Sequence, residues 1–241
     1  MPTNIFLRLL LITSLIVSCS SYKNKKQESL LILPELGTVV QMQGDMLYKA
    51  SEPTSLPSWP VLRVEIQQMP FNSSSYTTYA KYKQRAAQIN SVPYNDSLPY
   101  KPKFLRLTLP DKVKLTQLLN EDGHKALRQY LVTDDAYKLV TQLDIAPTEN
   151  ELVNFLNAEA IQLERDNYGS QKLVLVNGEK RRSFFFSELQ VFDYAHSSFC
   201  WGEDVYHNKK IKSLITDGSR CPKGTFMKPK KMDKVKPYLK L

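Results

Sequence analysis

Proline placement constrains this chain of 241 residues more than any other feature. Eight prolines fall between Pro53 and Pro110, at 53, 57, 60, 70, 93, 99, 102 and 110. Each removes a backbone donor and fixes φ near about −65°, so long helices are barred there and the connections must be extended. Residues 61–66 alternate Val61, Arg63, Glu65 with Leu62, Val64, Ile66, which predicts a half-buried strand. Residues 104–109 alternate in the same way. Upstream, residues 37–43 read as a strand, Gly44-Asp45 as a turn, and Met46-Leu47-Tyr48 as the returning strand. One proline-free interval, 75–90, sets Tyr76, Tyr79, Ala80, Lys83, Ala86 and Ala87 on one side of a predicted helix.

From Asp111 the texture changes, and no proline occurs until Pro147. Leu115, Leu118 and Leu119 recur at helical spacing. So do Ala126, Leu127, Tyr130 and Leu131, and then Ala136, Leu139, Val140 and Leu143. Thr148 and Glu151 match a capping box, which predicts a helix running to about Arg165. Residues 172–186 read as a β-hairpin turning at Asn177-Gly178. The expected fold class is α+β: early strands, a helical centre over about 111–166, and a late hairpin over about 172–186.

The first residues carry an address. Arg8 and the terminal amine precede an apolar run from Leu9 to Val17, and small residues follow. That is the layout of a secretory signal, and it falls short of the ~20 apolar residues that span a bilayer. Ile16-Val17-Ser18-Cys19 resembles the lipobox of bacterial lipoproteins. The resemblance implies that the signal (1–18) is cut before Cys19. It also implies that the Cys19 thiol takes a diacylglycerol and that the new amine is acylated. Two or three acyl chains hold firmly where one holds marginally. In Gram-negative lipoproteins an Asp after the Cys retains the protein at the inner membrane; Ser20 stands here, which points to the outer membrane. Residues 19–29 read as a lipidated tether. Its lysines, Lys23, Lys25 and Lys26, contrast with the acidic stretch that marks surface export in some Bacteroidetes lipoproteins, and so favour the periplasmic face.

With Cys19 lipidated, Cys200 and Cys221 remain in a chain bound for an oxidising compartment, where an even pair reads as a disulfide. Zinc or a nucleophilic thiol are the competing readings, and the spacing of His196, Cys200, His207 and Cys221 lacks the close pairs that zinc sites use.

Charge is divided unevenly. The formal net charge is +9, yet residues 27–206 hold 18 basic and 22 acidic side chains. Residues 207–241 hold eleven Lys and Arg against Asp217 and Asp233. The expected organisation is therefore one α+β domain over 30–206 and a disulfide-stapled basic C-terminal segment over 207–241. Lys228, Lys230, Lys231 and Lys234 are its candidates for contact with a polyanion or membrane.

Catalytic signatures are sparse. The eight glycines are scattered, so no phosphate-cradling loop is formed. His-Glu-x-x-His and Gly-x-Ser-x-Gly are both lacking. His124 reads as a surface or capping residue at a helix start, and Asp134-Asp135 as complements to a helix N-terminus. One dense cluster, Asp193, His196, Glu203, Asp204 and His207 around Cys200, offers weak candidates for a histidine general base held by a carboxylate. The function expected from sequence is a lipid-anchored binding or assembly component of the cell envelope. Its partners would be membrane lipid through Cys19 and an anionic envelope polymer or a protein; no small-molecule cofactor is evident. The alternatives are a polyanion binder and an envelope hydrolase.

Overall fold

The computed structural model describes residues 33–43, 50–90, 92–97 and 99–234. The signal, the tether and Cys19 lie outside these residues, as do the turn and strand expected at 44–48. The fold is α+β and mostly sheet, as one ten-stranded antiparallel sheet dominates it. Its strands are β1 (Val39–Gln43), β2 (Ala50–Ser55), β3 (Leu62–Pro70), β4 (Lys103–Thr108) and β5 (Tyr137–Ile145). They continue with β6 (Ala160–Arg165), β7 (Gln171–Asn177), β8 (Lys180–Phe185), β9 (Val191–Glu203) and β10 (Lys209–Thr216). The helices are α1 (Ser73–Arg85), α2 (Lys112–Asn120), α3 (Lys125–Leu131), α4 (Glu149–Leu156) and α5 (Lys230–Lys234).

The main order is β10-β9-β5-β4-β3-β6-β7-β8. β5 is the hub. β9 runs along one of its edges, while β1 and β4 divide the other. Val39 to Gln41 pair with Leu139 to Tyr137, and Leu105 to Thr108 with Ile145 to Gln142. The changeover is bridged by Val140 N–H to the Thr38 carbonyl at 2.9 Å and Leu109 N–H to the Thr141 carbonyl at 3.0 Å.

Phe104 and Leu105 are consecutive on β4 and so face opposite sides of the sheet. Leu105 enters the main core with Leu107, Leu119, Leu143, Leu163, Leu173 and Trp201. Phe104 joins a second, aromatic cluster with Phe71, Tyr79 and Phe192 beneath α1. α1 is closed at its start by reciprocal bonds between Asn72 and Ser75, both 2.9 Å. Its tyrosine edge packs on the sheet, with Tyr79 fully buried. The helix ends at Arg85, short of the expected Asn90, where Ala87 takes φ 51°.

The helical centre is half right. α2, α3 and α4 form where expected, and the Thr148–Glu151 capping box is present. Residues 137–145, expected as helix, are instead the central strand. β5 is enclosed by partners on both edges and buried on both faces, so its apolar positions lose period-2 alternation and mimic helical spacing. The helix expected to reach Arg165 stops at Leu156, and Ile161 and Leu163 then alternate inward on β6. The late hairpin forms as β7 and β8. Its turn lies one residue on, at Gly178-Glu179, because Asn177 pairs with Lys180; Gly178 takes φ 56°, and a leading glycine is the type II′ arrangement.

Residues 209–216, assigned from sequence to a separate basic segment, are strand β10. The boundary drawn at 206/207 therefore falls inside the β9–β10 turn.

That turn and the β6–β7 turn are built alike. Asp204 Oδ1 accepts from Tyr206 N–H and Asn208 N–H, both at 2.9 Å. Asp166 Oδ1 accepts from Tyr168 N–H at 2.9 Å and Ser170 N–H at 2.8 Å. The first and fifth residues pair through Asp204 N–H to Asn208 O at 3.0 Å and Asp166 N–H to Ser170 O at 2.9 Å. The fourth residue has positive φ in both: His207 at 62°, Gly169 at 89°. Asp leads each turn and Tyr stands third.

Candidate binding surfaces

The candidates suggested by sequence lie along β9 rather than around a cleft. Asp193 and Glu203 are ten residues apart on one strand, roughly 33 Å at ~3.3 Å per residue. Asp193 sits in a cross-strand row with Asp144, Arg106 and Gln67. Arg106 clamps Asp144 with two bonds, Nε to Oδ1 at 2.9 Å and Nη2 to Oδ2 at 2.8 Å. This clamp, more than any other contact, raises the Arg106 pKa above its ordinary value, and Asp193 adds to it. His196 is buried opposite Val140 in mid-strand.

Glu203 and His207 do meet, Oε2 to Nδ1 at 2.8 Å, across the exposed turn and without a helix. Asp204 is spent on the turn itself, and the amides of Asn208 and Tyr206 hold its carboxyl below the usual range. A general base must lie within hydrogen-bond reach of its partner groups. The Glu203–His207 pair meets that condition, and it stands on an open turn. Among the described residues no group of three His, Cys, Asp or Glu side chains is placed to hold a metal ion.

His124 is buried, contrary to its reading as a surface residue. The 3₁₀ turn before α3 swings its ring inward beside Trp59, at 5.8 Å between ring centroids, and Nδ1–H donates to the Leu118 carbonyl at 2.8 Å. Asp134 and Asp135 precede β5, not a helix. Asp134 accepts from Ala136 N–H at 3.0 Å, and Asp135 faces Lys228 at 3.3 Å.

The Cys200–Cys221 disulfide is present, closing a sequence separation of 21 with a Cα–Cα distance of 5.6 Å. Cys200 is fully buried. Beyond Ser198, β9 outruns β5, and the stapled segment takes the open edge. Trp201 N–H donates to Phe226 O at 2.8 Å and Phe226 N–H to Trp201 O at 2.9 Å. Met232 is buried on α5, while Lys230 and Lys231 of the same helix are exposed; Lys234 closes it. The basic segment is thus docked through residue 232, with Lys228 already paired. Lys209, Lys210 and Lys212 line β10, where the Lys212 stem lies over Gly202; a Cβ there would sit 2.7 Å from Lys212 Cγ.

A groove of about 430 Å³ opens where β4 leaves β3. Pairing between them starts at Glu65, and Leu109 leads away to α2, so the first residues of β3 face Leu109 and Leu115 across a gap. Arg63, Asp111 and Lys114 rim it with mixed charge.

The chain matches no family model, no curated protein and no solved structure. No helix among the described residues is long and apolar enough to cross a membrane.

Proposed function

We propose that this chain is a lipid-anchored protein of a bacterial cell envelope that acts by binding. In this reading acylated Cys19 holds it at the outer membrane, facing the periplasm. The observation that carries the reading is the Cys200–Cys221 bond. It joins the fully buried Cys200 to the segment that completes β9, and such a bond supports export to an oxidising compartment. The lipobox-like Ile16-Val17-Ser18-Cys19 supplies a route to such a compartment and an anchor once there. The test is Cys19→Ala in an expressing cell. Wild type should carry an alkyne fatty-acid label and fractionate with membranes, and the variant should lose both. Unchanged processing and membrane retention in the variant would remove the anchor.

A second reading, binding of an anionic envelope polymer, is favoured by exposed Lys230 and Lys231 on the stapled segment. Such binding weakens as salt rises, because the counterions it releases enter a more concentrated bath. Lys230→Ala with Lys231→Ala should weaken retention on immobilised lipopolysaccharide and flatten its salt dependence. Salt-insensitive retention, or none, rules it out.

A further inference from the structure

We infer that β8 is a dimerisation edge, along which this chain pairs antiparallel with a second copy of itself about a two-fold axis at Ser183. The contact goes beyond the anchor and needs no lipid. A sheet edge offers unpaired peptide groups to any strand that comes near, and proteins block such edges. Other edges of this sheet are blocked. The Asn120 side chain closes β10 at Ile211, Phe226 covers the overhang of β9, and Pro53 interrupts β2. Among the described residues β8 pairs with β7 alone, and Lys180 to Ser183 are all exposed.

The hairpin fixes which groups face outward. Its two-residue turn makes Asn177 and Lys180 a hydrogen-bonded pair, and bonded pairs alternate with non-bonded ones along an antiparallel ladder. Arg182 and Phe184 therefore bond to β7, while the peptide groups of Arg181, Ser183 and Phe185 point away from it. Phe185 gives the same phase independently, since its N–H turns outward to Glu188 Oε2 at 2.9 Å. A two-fold axis normal to the sheet at Ser183 sets Ser183 against its own copy and Arg181 against Phe185 of the copy. Every residue so paired brings outward groups, and each face of one sheet continues the same face of the other. Ser183 exchanges N–H and carbonyl with Ser183 of the copy. Arg181 N–H meets the Phe185 carbonyl, and Phe185 N–H trades Glu188 for the Arg181 carbonyl.

The side chains select this register and this occupant. β8 reads Lys180-Arg181-Arg182-Ser183-Phe184-Phe185, a basic half followed by an aromatic half. Charge on an edge commonly keeps neighbours off. Here Arg181 is paired with Glu164, and Arg182 lies over the Phe184 ring at 5.0 Å, so neither projects a bare charge. With the axis at Ser183 the basic half of each copy faces the aromatic half of the other. Arg182 stands opposite Phe184, and the Arg181 stem lies beside Phe185, which is 37% exposed. Guanidinium and ring attract one another. Moving the axis to Arg182 also matches outward groups, but it sets Arg182 against Arg182, and like charges directly opposite destabilise a strand pair. In the Ser183 register Lys180 falls opposite residue 186 of the copy. The Glu188 carboxylate, released by Phe185 N–H, comes beside it and closes each end of the seam with an ion pair. An unrelated strand would need aromatic residues and then a carboxylate in that order; this chain carries them itself. The seam is one short strand long, so the dimer is weak and depends on concentration.

The test uses the full chain in density-matched detergent. In sedimentation equilibrium wild type should associate with a Kd on the order of 100 μM, weaker than the micromolar limit of full-sized interfaces. Ser183→Pro should stay monomeric over the same range. Proline there removes an outward N–H and no bond to β7, so the denaturation midpoint should remain that of wild type. Register is read by oxidation with copper phenanthroline. Ser183→Cys sets the Cα atoms ~5.5 Å apart across the axis and should yield a covalent dimer. Arg182→Cys sets its thiols diagonally and should cross-link at least about tenfold more slowly. Wild type that stays monomeric at about ten times the expected Kd overturns the dimer. So does a Ser183→Pro variant that associates as wild type does, or faster cross-linking at Arg182→Cys than at Ser183→Cys. Wild type and Ser183→Pro share whatever Cys19 carries, so a difference between them is independent of the anchor.

Discussion

Asn120 and Ile211 form a closed pair, in which the side-chain amide of a helix end serves as the neighbour that strand β10 lacks. Ile211 N–H donates to Asn120 Oδ1 at 3.1 Å, and Asn120 Nδ2 donates to the Ile211 carbonyl at 2.6 Å. Ile211 stands opposite Trp201 on β9, yet both turn their peptide groups away from each other, Ile211 to Asn120 and Trp201 to Phe226. Asn120→Ala leaves two partly buried backbone groups unmet and should cost about 2 kcal/mol. A urea titration reads the change in midpoint, and hydrogen exchange at the Ile211 amide should quicken. Asn120→Asp should be no better, because a carboxylate then confronts the Ile211 carbonyl.

The Arg106–Asp144 clamp gives a second prediction. The Asp144 side chain is 4% exposed and that of Arg106 30%. Removing one partner of a buried pair costs ~3–5 kcal/mol, and partial access of Arg106 to water places Asp144→Asn near the bottom of that range, about 3 kcal/mol. Arg106→Met combined with Asp144→Leu should recover most of the loss. A denaturation series over the two single variants and the double variant measures this.

Much of the secondary structure was legible in the sequence, and the failures have physical causes. The alternation at 61–66, the capping box at Thr148 and Glu151, the late hairpin and the cysteine pair all follow from local or pairwise rules, and the structure has each. β5 was misread because a strand enclosed on every side carries no amphipathic signal; Leu139, Val140 and Leu143 are buried whichever face they take. The candidate site fared worse. Density of His, Asp and Glu in sequence between 193 and 207 becomes distance along an extended strand. Asp166-Asn167-Tyr168-Gly169 and Asp204-Val205-Tyr206-His207 share spacing, and His207 conceals the likeness because it takes a conformation usually given to glycine.

Tyr137 makes stability depend on pH at the alkaline end. Its hydrogen bond with Tyr130, reinforced by burial, raises its pKa from 10 to about 12. A group raised on folding stabilises the fold fully below its unfolded pKa, and the contribution is lost as pH climbs through the folded value. Stability should therefore fall between about pH 10 and 12. Tyr130→Phe removes the largest cause, so the tyrosinate absorbance of Tyr137 should appear at lower pH. An unchanged titration would mean that Tyr130 does not hold this proton.

The disulfide supplies a fourth prediction. Closing a loop of this length should contribute about 3 kcal/mol through the unfolded chain. Cys200→Ala with Cys221→Ala should lose about that much, with the Trp201–Phe226 bridge and α5 the first regions to lose exchange protection. Loss of protection spread evenly over the sheet would place the contribution of the bond elsewhere.

The position of that staple also orders the making of the protein. A chain that emerges from its N-terminus delivers Cys200 first, then all of β10, and only then Cys221. The bond can thus close only once every residue of the last strand has been made. A disulfide so placed acts as a seal of completion. A chain cut short before Cys221 would carry Cys200 without its partner, and with it would lose the segment that pairs with Trp201 through Phe226.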